Sequence, residues 1–179
     1  MNQQPAITAL PAKYAGTRYR SRMEARWAVF MDHMGIKFEY ESEGFELGGV
    51  CYLPDFYIPK LDVFMEIKNP LAENGGRKPK ILAEKSGKNV YLFVSNPATP
   101  NWDDYDREGA TCYFSDGGID HHFLWCECST GRHVGIEFDG RSDRIGCGCP
   151  ISDHGDKGYN YDTERLRKCY NISSAWRFD

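Results

Sequence analysis

Three acidic residues in this sequence have the types and spacing of a metal site. Asp55 precedes Glu66 by a short turn, and Glu24 lies upstream of both. If the two segments form adjacent antiparallel strands, Asp55 lies beside Glu66, and each carboxylate raises the pKa of the other unless a cation stabilises the pair. Carboxylate and carbonyl oxygens are ligands that Mg²⁺ prefers. The pattern predicts a Mg²⁺ or Mn²⁺ site formed by Asp55, Glu66 and the backbone carbonyl of Ile67.

Lys68 extends this pattern, because residues i and i+2 of a strand share a face and Lys68 therefore points with Glu66. A lysine there could orient or help deprotonate an attacking water and offset charge on a phosphate. Glu24 falls at the edge of the apolar stripe of a predicted helix, where a carboxylate either costs stability or serves a function. The alternative interpretation is that all four are solvated charges on strands and turns.

Seven cysteines form a second group of candidate ligands. Four of them occur as two Cys-x-Cys pairs, Cys126 with Cys128 and Cys147 with Cys149. Zn²⁺ takes four thiolate or imidazole ligands in a tetrahedron, so the pairs predict a closed, structural zinc site. His133 is the competing ligand if one cysteine is not used. The other alternative is that the four are reduced cysteines that pack as small apolar groups.

Basic residues concentrate in two short segments that flank the acidic group. Ten of the 22 lysines and arginines fall there, with only two of the 26 acidic residues. Such a local excess suits phosphate contacts, which set affinity without reading sequence. The alternative is that two surface helices are basic by chance. The predicted nucleic-acid contacts are Arg18, Arg20, Arg22, Arg26, Arg77, Lys78, Lys80 and Lys85.

The chain must supply elements that position these groups. Apolar residues at helical spacing predict a first helix over 19–34, which ends at a glycine. Alternation and turn residues then predict strands, a short helix, a buried strand, a group of short cysteine-bearing strands and a last helix. In chain order these elements cover 36–40, 50–58, 61–68, 79–88, 90–94, 123–149 and 161–176.

Composition limits the classes of protein that the chain can be. With 179 residues and 41% hydrophobic residues it can bury a core without disulfides. No apolar stretch approaches the length of a membrane span, and no secretory signal is present, which favours a cytoplasmic protein without a membrane partner. The net charge of −4 argues against a general nucleic-acid binder, but it averages two basic segments with an acidic remainder.

The order Glu24, Pro54-Asp55 and Glu66-x-Lys68 resembles the PD-(D/E)xK nuclease superfamily over about residues 18–96. The stretch RSRMEARWAVFMDHMGIKFEYE is also similar to small nucleases of phages and mobile elements. The resemblance implies metal-dependent hydrolysis of a phosphodiester. Asp55 and Glu66 would then be metal ligands, Lys68 the catalytic lysine, and Glu24 the helix acid that completes the site.

The stretch CEC…GRHVGIEFDGR…CGC is similar to zinc-ribbon-like tails of small phage nucleases. Together the resemblances predict an α/β fold: a restriction-endonuclease-like αβββαβ core with a mixed sheet, a small zinc-ribbon-like β module and a C-terminal helix. The predicted divisions are a flexible N-terminal arm (1–16), the nuclease core (17–100) and the Cys-rich module with the helix (101–179).

The predicted function is therefore a Mg²⁺-dependent DNA endonuclease in the DNA metabolism of a phage or mobile element. One site cuts one strand, so a double-strand break would require a homodimer. Two alternatives remain open at this point. One is a non-catalytic module that binds nucleic acid or protein and holds structural zinc, and the other is a nuclease that acts on RNA.

Overall fold

The structure is a computed structural model that describes residues 10–69, 76–100, 109–150 and 158–178. Within these residues it is a mixed α/β protein with three α-helices. The predicted helices correspond to α1 (Arg22–His33), α2 (Arg77–Ser86) and α3 (Glu164–Ala175). In the predicted flexible arm, residues 12–14 instead form a strand that pairs with residues 17–19, and Ala12 is buried.

Eleven strands are found among the described residues, most of them short. In chain order they are β1 (Ala12–Tyr14), β2 (Thr17–Tyr19), β3 (Glu39–Tyr40), β4 (Phe45–Glu46), β5 (Cys51–Tyr52), β6 (Phe56–Ile58), β7 (Val63–Ile67), β8 (Val90–Phe93), β9 (Ala110–Tyr113), β10 (Ile119–Glu127) and β11 (Val134–Phe138). The predicted strand over 50–58 is divided into β5, which forms a hairpin with β4, and β6, which joins the main sheet, and β9 lies where no strand was predicted.

Seven of these strands form one mixed sheet in the order β11-β10-β9-β8-β7-β6-β3. Only β7 and β8 run parallel, joined by the crossover through α2. The predicted boundary at residue 100 falls between β8 and β9, which pair with each other, and the cysteine-bearing β10 extends the same sheet. The sheet is therefore continuous from the predicted core into the predicted Cys-rich module.

Apolar residues cover both faces of this sheet. On one face α1 and α3 pack over a core that includes Phe30, Met65 and Trp125. On the other face α2 and the β4–β5 hairpin pack over a second core that includes Phe64 and Leu82. The consecutive residues Phe64 and Met65 thus serve opposite faces, as the alternation of a strand requires. None of the described helices is long and apolar enough to cross a bilayer.

The pairing of β6 with β7 positions the acidic residues. The two strands are antiparallel, with Phe56 opposite Met65 and Ile58 opposite Val63. One residue beyond this ladder, Asp55 falls opposite Glu66. The predicted arrangement of these two carboxylates on neighbouring strands is therefore found.

Candidate active site and metal cluster

Asp55 and Glu66 are tied together through the backbone of the two strands. The Asp55 amide donates to Glu66 Oε1 at 3.2 Å, and the Ile67 amide donates to Asp55 Oδ2 at 2.8 Å. Both side chains are almost fully buried, at 2% and 0% exposure of the residue. The backbone of Ile67 thus lies against the Asp55 carboxylate, while a role for its carbonyl as a ligand stays a prediction.

Two cations approach the carboxylate pair. Lys68 Nζ lies 3.0 Å from Glu66 Oε2, as expected for side chains on one strand face. Arg20 Nη2 lies 2.7 Å from Asp55 Oδ1, and its Nε lies 2.5 Å from Glu41 Oε1. The sequence predicted a phosphate contact for Arg20. In this structure the guanidinium instead contacts a predicted metal ligand.

The electrostatics of this group favour a bound cation. Burial and then the nearby Glu66 carboxylate raise the pKa of Asp55 to about 8, and Lys68 opposes the rise. Burial lowers the pKa of Lys68, but Glu66 and Asp55 outweigh burial and raise it above the ordinary value, so Lys68 is held as a cation. A divalent ion would stabilise the ionised Asp55 that burial now disfavours.

The buried Tyr52 hydroxyl at this site makes no hydrogen bond with a described residue, whereas Glu66 Oε2 has the Lys68 ammonium as its partner. Burial, and then Glu66 and Asp55, raise the pKa of Tyr52, which places this hydroxyl beside the acids. Buried polar groups rarely lack partners, and oxygen donors of this kind suit Mg²⁺ with its bound waters. The residues present therefore fit a hard divalent cation. Sequence reasoning missed Tyr52, whose β-strand is a two-residue hairpin strand without a chemical motif.

Glu24 stabilises the start of α1 and also lies close to the acidic site. Ser21 caps α1: its hydroxyl accepts from the Glu24 amide at 3.1 Å and donates to Glu24 Oε1 at 2.7 Å, at the S-x-x-E spacing of a capping box. Glu24 Oε2 accepts from Tyr40 at 2.6 Å and from the Arg20 amide at 3.2 Å. Glu24 therefore adjoins the Asp55 group through Arg20, without a direct contact that the structure records. The S-x-x-E spacing was readable in the sequence.

Some of the residues predicted to contact nucleic acid are bonded to other groups of this chain, and others have no ion pair with a described residue. Lys85 Nζ donates to the Glu46 carbonyl at 2.7 Å, and Arg26 Nη1 donates to Asn96 Oδ1 at 3.2 Å. Lys78 Nζ lies 5.6 Å from the centre of the Tyr52 ring, which puts it near the acids. Arg20, Arg26 and Lys85 therefore have partners within this chain, and their contacts with nucleic acid stay a prediction. The residues that stay exposed without a recorded ion pair are Arg18, Arg22, Arg77 and Lys78.

Four ligand atoms converge at the end of the β10–β11 hairpin. One potential ligand atom from each residue lies within 4.8 Å of the others, in a cluster of Cys128, His133, Cys147 and Cys149 that could hold a metal ion such as zinc. His133 Nδ1 lies 3.7 Å from Cys128 Sγ and 3.4 Å from Cys149 Sγ. Zinc bonds to sulfur and imidazole nitrogen at a tetrahedral angle separate those atoms by about 3.5 Å. The geometry fits the ion.

The thiol of Cys128 is poised for this role. Burial raises its pKa, but hydrogen bonds with the Thr130 hydroxyl and with the backbone and ring of His133 outweigh burial and lower the pKa of Cys128 to about 5. A thiolate is the form that binds metal. The lowered pKa therefore favours the form of Cys128 that binds metal.

Cys126 is not a member of the cluster, so the prediction of four cysteine ligands is wrong at this position. Cys126 lies inside the β10–β11 ladder opposite Gly135, whereas Cys128 and His133 meet where the hairpin turns. Two residues along a strand cover about 6.6 Å, which keeps the Cys126 thiol away from the turn. Cys126 is fully buried, and burial raises its pKa. The alternative ligand His133 takes its place.

Comparisons with protein-family models, with curated proteins and with solved structures return no match. The interpretation of both sites therefore rests on the geometry and the chemistry described above.

Proposed function

We propose that this chain is a metal-dependent endonuclease that hydrolyses phosphodiester bonds of DNA. The observation that carries the proposal is the buried Asp55–Glu66 pair on adjacent strands, with Lys68 at 3.0 Å from Glu66. Buried carboxylates placed side by side are costly unless a cation accompanies them, and a nuclease uses that cation on its substrate.

The arrangement of elements around the pair supports a restriction-endonuclease-like core. In chain order α1, β3, β6, β7, α2 and β8 follow the αβββαβ pattern, and β4–β5 is an insertion between β3 and β6. Their strands are consecutive neighbours in the sheet, in the order β8-β7-β6-β3. This agreement concerns topology only, and it adds to the motif resemblance of Asp55, Glu66 and Lys68.

In the proposed mechanism Asp55 and Glu66 would hold a divalent ion, with the Ile67 carbonyl as a further ligand. A bound Mg²⁺ would supply Lewis-acid stabilisation of the phosphate and of the attacking water. Lys68 is held as a cation, so it donates a hydrogen bond to the water or to a phosphate oxygen. The water oxygen bonds to phosphorus and the bond from phosphorus to the leaving oxygen breaks. One proton of the water is released to solvent, the other stays on the product phosphate, and the leaving oxygen takes up a proton from solvent.

The remaining residues position this group. Glu24 fixes the start of α1 and the backbone of Arg20, and the Arg20 guanidinium fixes Asp55 Oδ1. A substrate phosphate close to Asp55 would also be within reach of this half-exposed guanidinium, since arginine binds phosphate oxygens readily. Arg20 is therefore assigned to orient Asp55 and to contact substrate.

DNA is proposed to approach across the N-terminal end of α2. Because β7 and β8 are parallel, the crossover helix α2 begins at the edge where β7 ends with Glu66 and Ile67. Arg77 and Lys78 at this end are exposed, whereas Lys88 beyond the other end pairs with Asp62 at the start of β7. Arg77 and Lys78, cations without an ion pair among the described residues, therefore lie at the edge of the sheet where Glu66 is found.

The Cys128, His133, Cys147 and Cys149 cluster is proposed to hold structural zinc. Four protein ligands leave no open position for substrate, so the ion would stabilise the loops without taking part in hydrolysis.

The proposal is tested by a cleavage panel on the purified chain. Duplex, single-stranded, flap and branched DNA, and RNA of matching sequence, are incubated with Mg²⁺, with Mn²⁺ or with EDTA. We expect cleavage of at least one DNA substrate that needs the divalent ion and stops with EDTA. Cleavage of RNA alone would favour the ribonuclease alternative, and no cleavage of any substrate would favour a non-catalytic binding module.

A further inference from the structure

A cavity of about 180 Å³ lies at the end of α1 that is remote from the acidic site, bounded by Met34 and Gly35. The twelve residues of α1 span about 18 Å, so the cavity is separate from the Asp55 group. A cavity of about 150 Å³ lined by apolar side chains accepts a benzene ring. This one therefore has room for a single ring. Its apolar lining consists of Ile36, Ile58, Leu61, Trp125 and Val134.

The same cavity carries an unbalanced positive charge. Lys37, Lys60 and Arg132 line it, are exposed, and form no ion pair within the described part of the chain. A fourth cation, Arg165, is already paired with Glu127 at 2.9 Å. No carboxylate occurs among the described residues that line the cavity. The rim is therefore suited to an anion rather than to a neutral ligand.

A further polar group of the lining lacks a partner. Trp125 is 0% exposed, and its indole N–H makes no hydrogen bond among the described residues. Buried tryptophan nitrogens usually find an acceptor. Trp125 also lines a second cavity, beside Trp27 and Phe93, so the ring contributes apolar surface to the pocket and its N–H is not assigned to the ligand.

We infer that this cavity binds a small phosphate monoester whose ring occupies the apolar pocket and whose phosphate contacts Lys37, Lys60 and Arg132. Three free cations match a dianionic phosphate better than a singly charged carboxylate. The inference does not depend on the proposed nuclease activity, because none of its residues belongs to the acidic site.

The test is calorimetric titration of the full chain with phenyl phosphate, and with phenol, benzoate and inorganic phosphate as comparison ligands. We expect one phenyl phosphate per chain, bound at least about tenfold more tightly than any of the other three. Equal affinity for inorganic phosphate would show that the surface cations bind phosphate without a contribution from the apolar pocket, and would overturn the inference. No detectable heat up to about 10 mM phenyl phosphate would overturn it too.

Variants assign the binding to this cavity. Lys60→Gln and Arg132→Gln each lower the affinity for phenyl phosphate by about tenfold. Val134→Phe, which fills the pocket, abolishes binding. Lys168→Gln, an exposed cation on α3 outside the lining, leaves affinity unchanged, and Glu66→Gln also binds normally. An equal loss in Lys60→Gln and Lys168→Gln would contradict the assignment, even if Val134→Phe failed to fold.

Discussion

The acidic site and the Cys/His cluster are held in place by different parts of the fold. Asp55 and Glu66 lie at paired strands inside the main sheet, where β6 and β8 flank β7 on both sides. Cys147 and Cys149 lie on a segment without regular strand or helix, beyond a short turn of 3₁₀ helix. The ladder and the apolar core fix the carboxylates without a metal, whereas the thiols have little else to hold them.

This difference implies that a metal ion would have a different effect at each of the two sites. An ion at the acidic site would add chemistry to a structure that is already formed. An ion at the Cys/His cluster would add stability, because metal binding to ligands on loops is coupled to their folding. Substitutions at the acidic site should therefore remove the chemistry and leave stability nearly unchanged. Substitutions in the Cys/His cluster should lower stability and leave the acidic site nearly intact.

The largest expected effect is on cleavage by Glu66→Gln. The amide keeps the volume of the buried side chain but removes a ligand charge, so we expect the cleavage rate to fall by about 10³-fold or more. Bound zinc and the thermal midpoint of unfolding should stay close to those of the wild type. Glu164→Gln, an exposed acid at the start of α3, is the matched control and should cut normally.

The next effect is on zinc and stability. His133→Ala and Cys147→Ser should each lose the ion and lower the free energy of unfolding by about 3 kcal/mol, which lowers the melting temperature by about 6–12 °C. Cys126→Ala is the control, because the sequence predicts Cys126 as a zinc ligand whereas the cluster in the structure does not include it. It should retain one zinc per chain by metal analysis, and a loss of zinc from this variant would restore Cys126 as a ligand.

The pH dependence of stability reports on Asp55. Its pKa is raised by burial and by Glu66 from 3.8 to about 8, so between these values the folded protein holds a proton that the unfolded chain has released. Without divalent ions, the stability contributed by this group should fall by about 1.4 kcal/mol per pH unit as pH rises from about 4 toward 8. Urea unfolding at several pH values checks this, with Asp55→Asn as the control in which the dependence weakens. A slope that is unchanged in Asp55→Asn would contradict the assignment.

The smallest expected effect concerns the start of α1. Ser21→Ala removes the cap that bonds the Glu24 amide, so the free energy of unfolding should fall by about 1 kcal/mol. Because Glu24 loses one hydrogen bond but keeps Tyr40 and the Arg20 amide, cleavage should fall by less than about tenfold. Ser42→Ala, at an exposed position, is the matched control for unfolding measurements. A loss of cleavage as large as that of Glu66→Gln would mean that Glu24 is catalytic.

Much of the acidic site could be predicted from the sequence, because local rules determine it. Strand alternation sets the face shared by Glu66 and Lys68, and a short turn sets the antiparallel return from Asp55. The contacts of Arg20 with Asp55 and Glu41 could not be predicted, since they depend on how the β1–β2 hairpin packs beside β3 and β6. Tyr52 was missed for the same reason.

The cysteine cluster shows where spacing misleads. Cys126 and Cys128 form one Cys-x-Cys pair, and only the register of β10 with β11 decides which thiol reaches the turn. That register was not readable from the spacing of the pairs, so the sequence left His133 as an alternative. The continuity of the sheet across residue 100 likewise depends on the pairing of β8 with β9, which no local pattern specifies.

Asp55 and Glu66 are proposed to form a divalent-cation site that is independent of the Cys/His cluster. Mn²⁺ binding, followed by the electron paramagnetic resonance signal of the free ion, tests it most directly. We expect one Mn²⁺ per zinc-loaded chain, which is lost in Glu66→Gln and retained in Cys147→Ser. Equal Mn²⁺ binding by the wild type and Glu66→Gln, or its loss in Cys147→Ser alone, would contradict it.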